Sequence, residues 1–256
     1  MTQPIALQLY SVREQLVRDF EGTIRRVADI GFAGVETAGF PAGVSPAAAK
    51  ALFDELGLTV CAAHAPLPLG ESAAEALERM AALGCDRLVC AWMAPAEYAT
   101  VGAAQRVCDR LNRAAAVCAQ HGLRQGVHNH WFEFQPIGDT GIWPYQIWLE
   151  NLDPRIFFEL DAYWARVGGI EPSEALRRLG PRVELLHVKD GPADSTQSAM
   201  TAVGTGVMDY KALIPEATAV AWLIVELDHC ATDMLAAVDQ SYRYLAGGGL
   251  GHGRAA

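Results

Sequence analysis

Apolar residues in this chain follow two alternating patterns. Short runs rich in branched and aromatic residues stand at about 5–10 (IALQLY), 33–37 (AGVET), 58–63 (LTVCAA), 87–91 (RLVCA), 123–129 (LRQGVHN), 155–160 (RIFFEL), 183–188 (VELLHV) and 222–227 (WLIVEL). Between and after them lie Ala- and Leu-rich stretches with helical spacing, at 19–30, 46–56, 72–83, 100–121, 142–150, 172–179, 209–217 and 232–246. The short runs predict strands and the longer stretches predict helices. Strands that alternate with helices pair in parallel, and eight such units predict closure into a (β/α)8 barrel.

Punctuation supports this scheme. Gly31 and Gly84 each follow a helical stretch and precede a strand, where glycine accepts the left-handed conformation that ends a helix. Ser45-Pro46 and Glu171-Pro172 read as helix starts with proline in the first turn. No linker divides the chain, so residues 1–246 read as one TIM-barrel domain. The stretch GGGLGHGRAA at 247–256 reads as a flexible tail, with His252 a bystander. The polar stretch 191–206 follows the seventh strand and reads as a lid or substrate loop.

Composition narrows the classes of function. The 256 residues carry a formal net charge of −10, which repels nucleic-acid phosphates, and no basic run offsets it. The Arg pairs at 25–26 and 177–178 fall inside helical stretches and read as solvated faces. No segment has the ~20 apolar residues of a membrane span, and MTQPIALQLY lacks the basic and apolar regions of a secretory signal. None of the six cysteines makes a Cys-x-x-Cys pair; Cys61, Cys85, Cys90 and Cys230 lie in or beside apolar runs and read as small hydrophobes, and the setting reads as reducing and cytoplasmic. There is no GxGxxG after the first strand, no P-loop and no GxSxG, which argues against nicotinamide, ATP-driven and serine-hydrolase chemistry.

The chemistry collects where the later strands end. The fifth run finishes in VHNH, the sixth in FFELD, the seventh in LLHVKD and the eighth in LIVELDH. Side chains two apart share a face of a strand, so His128 pairs with His130, Glu159 with Asp161, His187 with Lys189, and Glu226 with Asp228. With those faces turned inward, His128, Asp161, His187 and Glu226 line the mouth of the barrel. Mixed imidazole and carboxylate donors suit one Mn²⁺, Zn²⁺, Co²⁺ or Fe²⁺ better than Ca²⁺. The competing reading treats each as an isolated strand-end polar group satisfied by water or loop backbone.

These residues resemble the sugar phosphate isomerase/epimerases of the xylose-isomerase-like TIM-barrel superfamily. The resemblance runs through LQLYSVRE (7–14), GFAGVE (31–36), HNHWFEF (128–134), ELDAYW (159–164), LLHVKDG (185–191) and VELD (225–228). It implies one divalent metal held from strands five to eight, with Asp161, His187 and Glu226 at the matching positions. The fifth-strand ligand in relatives is usually Glu, and here that position is His128, with Glu133 the alternative fourth ligand. Trp164 stands where many relatives have His; Trp offers a stacking face to a sugar ring but no metal ligand. His64 resembles a third-strand His that holds substrate. Glu36 and Asp228 are further candidate substrate contacts, and Trp92, Trp131 and Trp143 candidate pocket walls. Relatives commonly assemble as dimers or tetramers, although no stripe of this sequence identifies such an interface.

The function expected from the resemblance is a metal-dependent sugar isomerase or epimerase that removes a proton next to a carbonyl. Candidate bases are His130 and Glu133, with Glu226 in a double role as ligand and base. Lys189 would neutralise a developing enolate or a substrate carboxylate. A lyase acting on a keto-sugar or 3-keto-glycoside is the alternative. An endonuclease IV-like nuclease conflicts with the acidic charge, and a non-catalytic sugar-binding barrel conflicts with an intact ligand set.

Overall fold

A computed structural model describes residues 2–254. Eight parallel strands form the barrel: β1 (Gln3–Gln8), β2 (Gly34–Thr37), β3 (Thr59–His64), β4 (Arg87–Cys90), β5 (Arg124–His128), β6 (Phe157–Asp161), β7 (Val183–Val188) and β8 (Trp222–Val225). They pair in sequence order, and β1 pairs with both β2 and β8, so the sheet closes. Each predicted run yields a strand within three residues of its expected ends.

The predicted helices are present as α2 (Phe20–Ile30), α3 (Pro46–Glu55), α4 (Ala73–Leu83), α5 (Val101–Gln120), α6 (Pro144–Asn151), α8 (Pro172–Leu179), α9 (Tyr210–Glu216) and α10 (Met234–Gly247). Two further short helices, α1 (Arg13–Arg18) and α7 (Ala162–Val167), have no counterpart in the sequence pattern. The second follows directly from Asp161, whose Oδ1 accepts the Trp164 N–H at 2.8 Å and caps the turn. Among the described residues no helix is long and apolar enough to cross a membrane.

Strand alternation divides the interior into layers. Ala6, Ala62, Phe157, Leu185 and Ile224 belong to an apolar cluster, and each lies two residues before a polar one: Gln8, His64, Glu159, His187 and Glu226. Space for Phe157 comes from Gly126, where a Cβ would stand 2.4 Å from that ring. The larger core lies between the strands and the helices, built from residues such as Ile24, Phe53, Leu111 and Trp148.

Part of the glycine-rich end, expected from composition to be a flexible tail, pairs with the barrel. Gly251–His252 forms β9, paired in parallel with Gln3 and Pro4, and the Arg254 N–H donates to Gly31 O at 2.9 Å. The free backbone groups at the start of β1 give this segment partners, which composition alone does not reveal. Ala255 and Ala256 lie outside the described residues.

Candidate active site

The inward faces of β5 to β8 deliver their donors to one place. One ligand atom from each of His128, Asp161, His187 and Glu226 lies within 4.8 Å of the others, and all four residues are buried. His187 Nδ1 is 2.8 Å from Glu226 Oε2, and His128 Nε2 is 3.9 Å from Asp161 Oδ2. Asp161 Oδ2 and His128 Nδ1 are buried without an aligned hydrogen-bond partner. Two imidazoles and two carboxylates so spaced form a mixed donor set that could hold a transition metal.

Lys189, also buried, sits among the acids. Its Nζ is 2.9 Å from Asp161 Oδ2, 2.8 Å from Glu226 Oε2 and 2.8 Å from Asp228 Oδ2. A full-charge ammonium buried at such a point requires this degree of pairing.

A second group lies one layer deeper. His64, His128, Glu159 and His187 also bring ligand atoms within 4.8 Å of one another. Here the imidazoles gather on Glu159 Oε2, which is 2.7 Å from His64 Nε2, 3.0 Å from His128 Nδ1 and 3.2 Å from His187 Nε2, while His187 Nε2 also meets Glu36 Oε2, outside this group, at 2.7 Å. Gln8 Nε2 donates to the same Glu36 oxygen at 2.8 Å.

Burial dominates the electrostatics. It lowers His128 to about 3 and holds His130 well below the ordinary range, so both imidazoles are neutral near pH 7. It raises Asp161 to about 6, against the pull of Lys189, and Glu133 to about 8. Glu36 rises to about 7 through burial and the neighbouring Glu159 charge. For His187 burial is outweighed by Glu159, Glu226 and Glu36, which hold it well above its ordinary value. Lys189 and His187 likewise overcome burial at Glu226 and keep that carboxylate ionised.

A cavity of about 830 Å³ opens above this centre. Its walls include His64, His128, His130, Lys189, Glu226 and Asp228, together with Tyr10, Trp92, Met93, Arg79 and Arg110. Trp92 is 49% exposed and meets the His130 ring edge-on at 4.5 Å.

Three residues expected at the substrate stand behind the wall instead. Glu36 is fully buried beneath the floor, held by Gln8 and His187. Glu133 is buried, and its Oε2 accepts the His130 backbone N–H at 2.8 Å, so it faces neither the cavity nor the metal-ligand group. Trp164 is buried with Trp131 at 5.2 Å and Lys189 Nζ 5.4 Å from its ring centre. In each case strand parity or loop position indicates the direction of the side chain but not its depth. Trp143 packs on Tyr145 at the start of α6, away from the cavity.

The stretch 191–206 is tied to the barrel at both ends. Asp190 accepts four backbone N–H groups, from Gly191, Gly204, Gly206 and Met208, at 2.9–3.1 Å. Glu159, already paired with Asp161 by strand parity, and Gln8 are further members of the site to which the sequence pattern assigns no role. The signal for Glu159 is its i−2 relation to Asp161, which puts it on the same face one layer down.

The geometry agrees with what the sequence shares with known proteins. A family model described as xylose isomerase-like TIM barrel matches residues 24–246. The chain therefore belongs to the xylose isomerase-like TIM barrel family. A sugar phosphate isomerase/epimerase from Parabacteroides distasonis ATCC 8503 is 25% identical, with a TM-score of 0.80 over 96% of this chain and 98% of that one. A probable 3-DHS dehydratase from Bacillus anthracis is 15% identical, with a TM-score of 0.75 over 95% and 99% of the two chains. An L-ribulose 3-epimerase is 17% identical, with a TM-score of 0.70 over 97% and 94%. At the last two identities the likeness is one of fold. No curated protein sequence matches.

Proposed function

We propose that this chain is a divalent-metal-dependent sugar isomerase or epimerase that removes a proton next to a substrate carbonyl. One observation carries the reading: the metal-ligand group His128, Asp161, His187 and Glu226 adjoins a cavity that His130 and Lys189 also line. A divalent ion held by those four residues would supply Lewis acidity to adjacent substrate oxygens.

The protein's own groups would do the rest. His130 is neutral, its Nδ1 has no partner, and it would accept the α-proton through a ring nitrogen. Lys189, kept protonated by three carboxylates despite burial, would stabilise negative charge developing on the carbonyl oxygen. Asp228 and His64 would bind hydroxyls along the wall. Trp92 would cover a sugar face and exclude water.

A metal-dependent lyase or dehydratase acting on a keto-sugar or 3-keto-glycoside is the second reading. It draws support from the position of Glu133. A two-base epimerase needs a second proton carrier opposite the first, and with Glu133 behind the wall only Glu226 remains for that task. Expulsion of a β-substituent needs one base and the same stabilised anion.

The test is incubation with candidate ketoses and 3-keto-glycosides in D₂O. Deuterium uptake at the α-carbon is expected for either reading, and product analysis separates them. No uptake across a broad panel would refute both. Asp161→Ala is expected to reduce bound metal to background by elemental analysis, and unchanged metal content would remove the site.

A further inference from the structure

The site is built on two imidazoles that each face both ways. His187 turns Nδ1 toward Glu226, at 2.8 Å, and Nε2 toward Glu36, at 2.7 Å, with Glu159 Oε2 farther from that nitrogen at 3.2 Å. His128 turns Nε2 toward Asp161, at 3.9 Å, and Nδ1 toward Glu159, at 3.0 Å. The upper nitrogens face Glu226 and Asp161 of the group beside the cavity, and the lower nitrogens meet buried carboxylates that do not line it. Those carboxylates are anchored in turn: Glu36 by Gln8 Nε2 at 2.8 Å, and Glu159 by His64 Nε2 at 2.7 Å.

An imidazole can ligate a metal only through a nitrogen that carries no hydrogen. A strong acceptor on the opposite nitrogen keeps the hydrogen there and fixes the plane of the ring. Glu36 meets this requirement for His187. It lies on β2, across the barrel from β7, and none of its surface is exposed. It does not line the cavity, yet a carboxylate so fully buried is unfavourable without a purpose or full pairing. Its Oε1 has no hydrogen-bond partner, so the pairing it does have is concentrated on Oε2, the oxygen that meets His187.

We propose that Glu36 is a positioning residue: it grips His187 by Nε2 and so leaves Nδ1 as the nitrogen that faces the cation site. This rests on the metal-dependent reading above. Glu159 stands in the same relation to His128, with the looser contact.

The experiment uses Co²⁺ as probe and does not depend on turnover. The full chain, Glu36→Gln, Glu159→Gln and Asp161→Ala are stripped of metal. Co²⁺ affinity is then measured by competition with a chromophoric chelator, and the visible ligand-field bands are recorded. Glu36→Gln is expected to weaken binding about 10- to 100-fold and to shift the bands, with the fold retained by circular dichroism. Wild-type affinity and superimposable bands in Glu36→Gln would overturn the proposal while leaving the metal reading intact. Failure of the unmodified chain to bind Co²⁺ would instead overturn the metal reading, and the proposal with it. Uptake of two Co²⁺ per chain, with one lost in Glu159→Gln, would make the deeper group an ion site and also overturn the proposal. If Glu36→Gln does not fold, Glu36→Asp is measured in its place. It keeps the charge but shortens the reach, so weaker binding supports the proposal and unchanged binding refutes it.

Discussion

Replacing Glu133 with glutamine separates two roles for one buried acid. The carboxyl is 1% exposed and burial raises it from 4.5 to about 8. The folded state therefore holds this proton more tightly than the unfolded state. Stability from this group is fully present below about pH 4.5 and is lost as pH rises through about 8. At about 1.4 kcal/mol for each unit between the two values, the full loss is roughly 5 kcal/mol, with about 4 kcal/mol of it between pH 5 and pH 9. Glutamine preserves the shape and an acceptor for the His130 N–H, and it does not titrate. The advantage of Glu133→Gln over the unmodified protein should therefore grow by about 4 kcal/mol from pH 5 to pH 9. Urea unfolding of the metal-free proteins, followed by tryptophan fluorescence at several pH values, measures it. Parallel profiles for the two proteins would refute the reasoning. Once a substrate is known, the same variant should keep α-proton exchange within about tenfold, because His130 and not Glu133 lines the cavity.

Other perturbations have equally definite outcomes. Lys189→Met leaves Asp161, Glu226 and Asp228 without their shared ammonium and should cost the metal-free protein about 3–5 kcal/mol in denaturant unfolding, with part restored by added Mn²⁺. Asp190→Ala releases four backbone N–H groups and should expose 191–206 to limited proteolysis while the barrel remains folded; unchanged resistance would show the loop is held by other contacts. Gly126→Ala drives a methyl group into the Phe157 ring and should lower stability by about 1–3 kcal/mol, read as a lower melting temperature.

Much of this architecture is legible in the chain because depth and period coincide there. VELLHV and WLIVEL are buried on both faces of a parallel sheet, so their apolar character is continuous and their ends are clear. His128, Asp161, His187 and Glu226 stand out because strand parity places each on the same inward side. Parity does not give height along the barrel axis. Glu36 and Glu159 therefore cannot be told from substrate contacts until the strands are registered, with Glu36 opposite Gln8 and Glu159 opposite His128. Nor does parity report tertiary capping: α7 exists because Asp161 caps it, a second use of a residue that reads first as a ligand. Glu133 is similar, since its attachment to the His130 backbone depends on a tight turn that no periodicity signals.

The anchoring of the seventh loop by Asp190 bears on how such a barrel could change its diet. With that rim bolted to the scaffold, new specificity has to arise on the opposite bank, where Leu67, Leu69, Trp92 and Met93 border the opening. Libraries confined to Leu67, Leu69 and Met93 should shift substrate preference while Trp92 keeps its contact with His130, whereas diversity placed in 191–206 would mostly unfasten the frame.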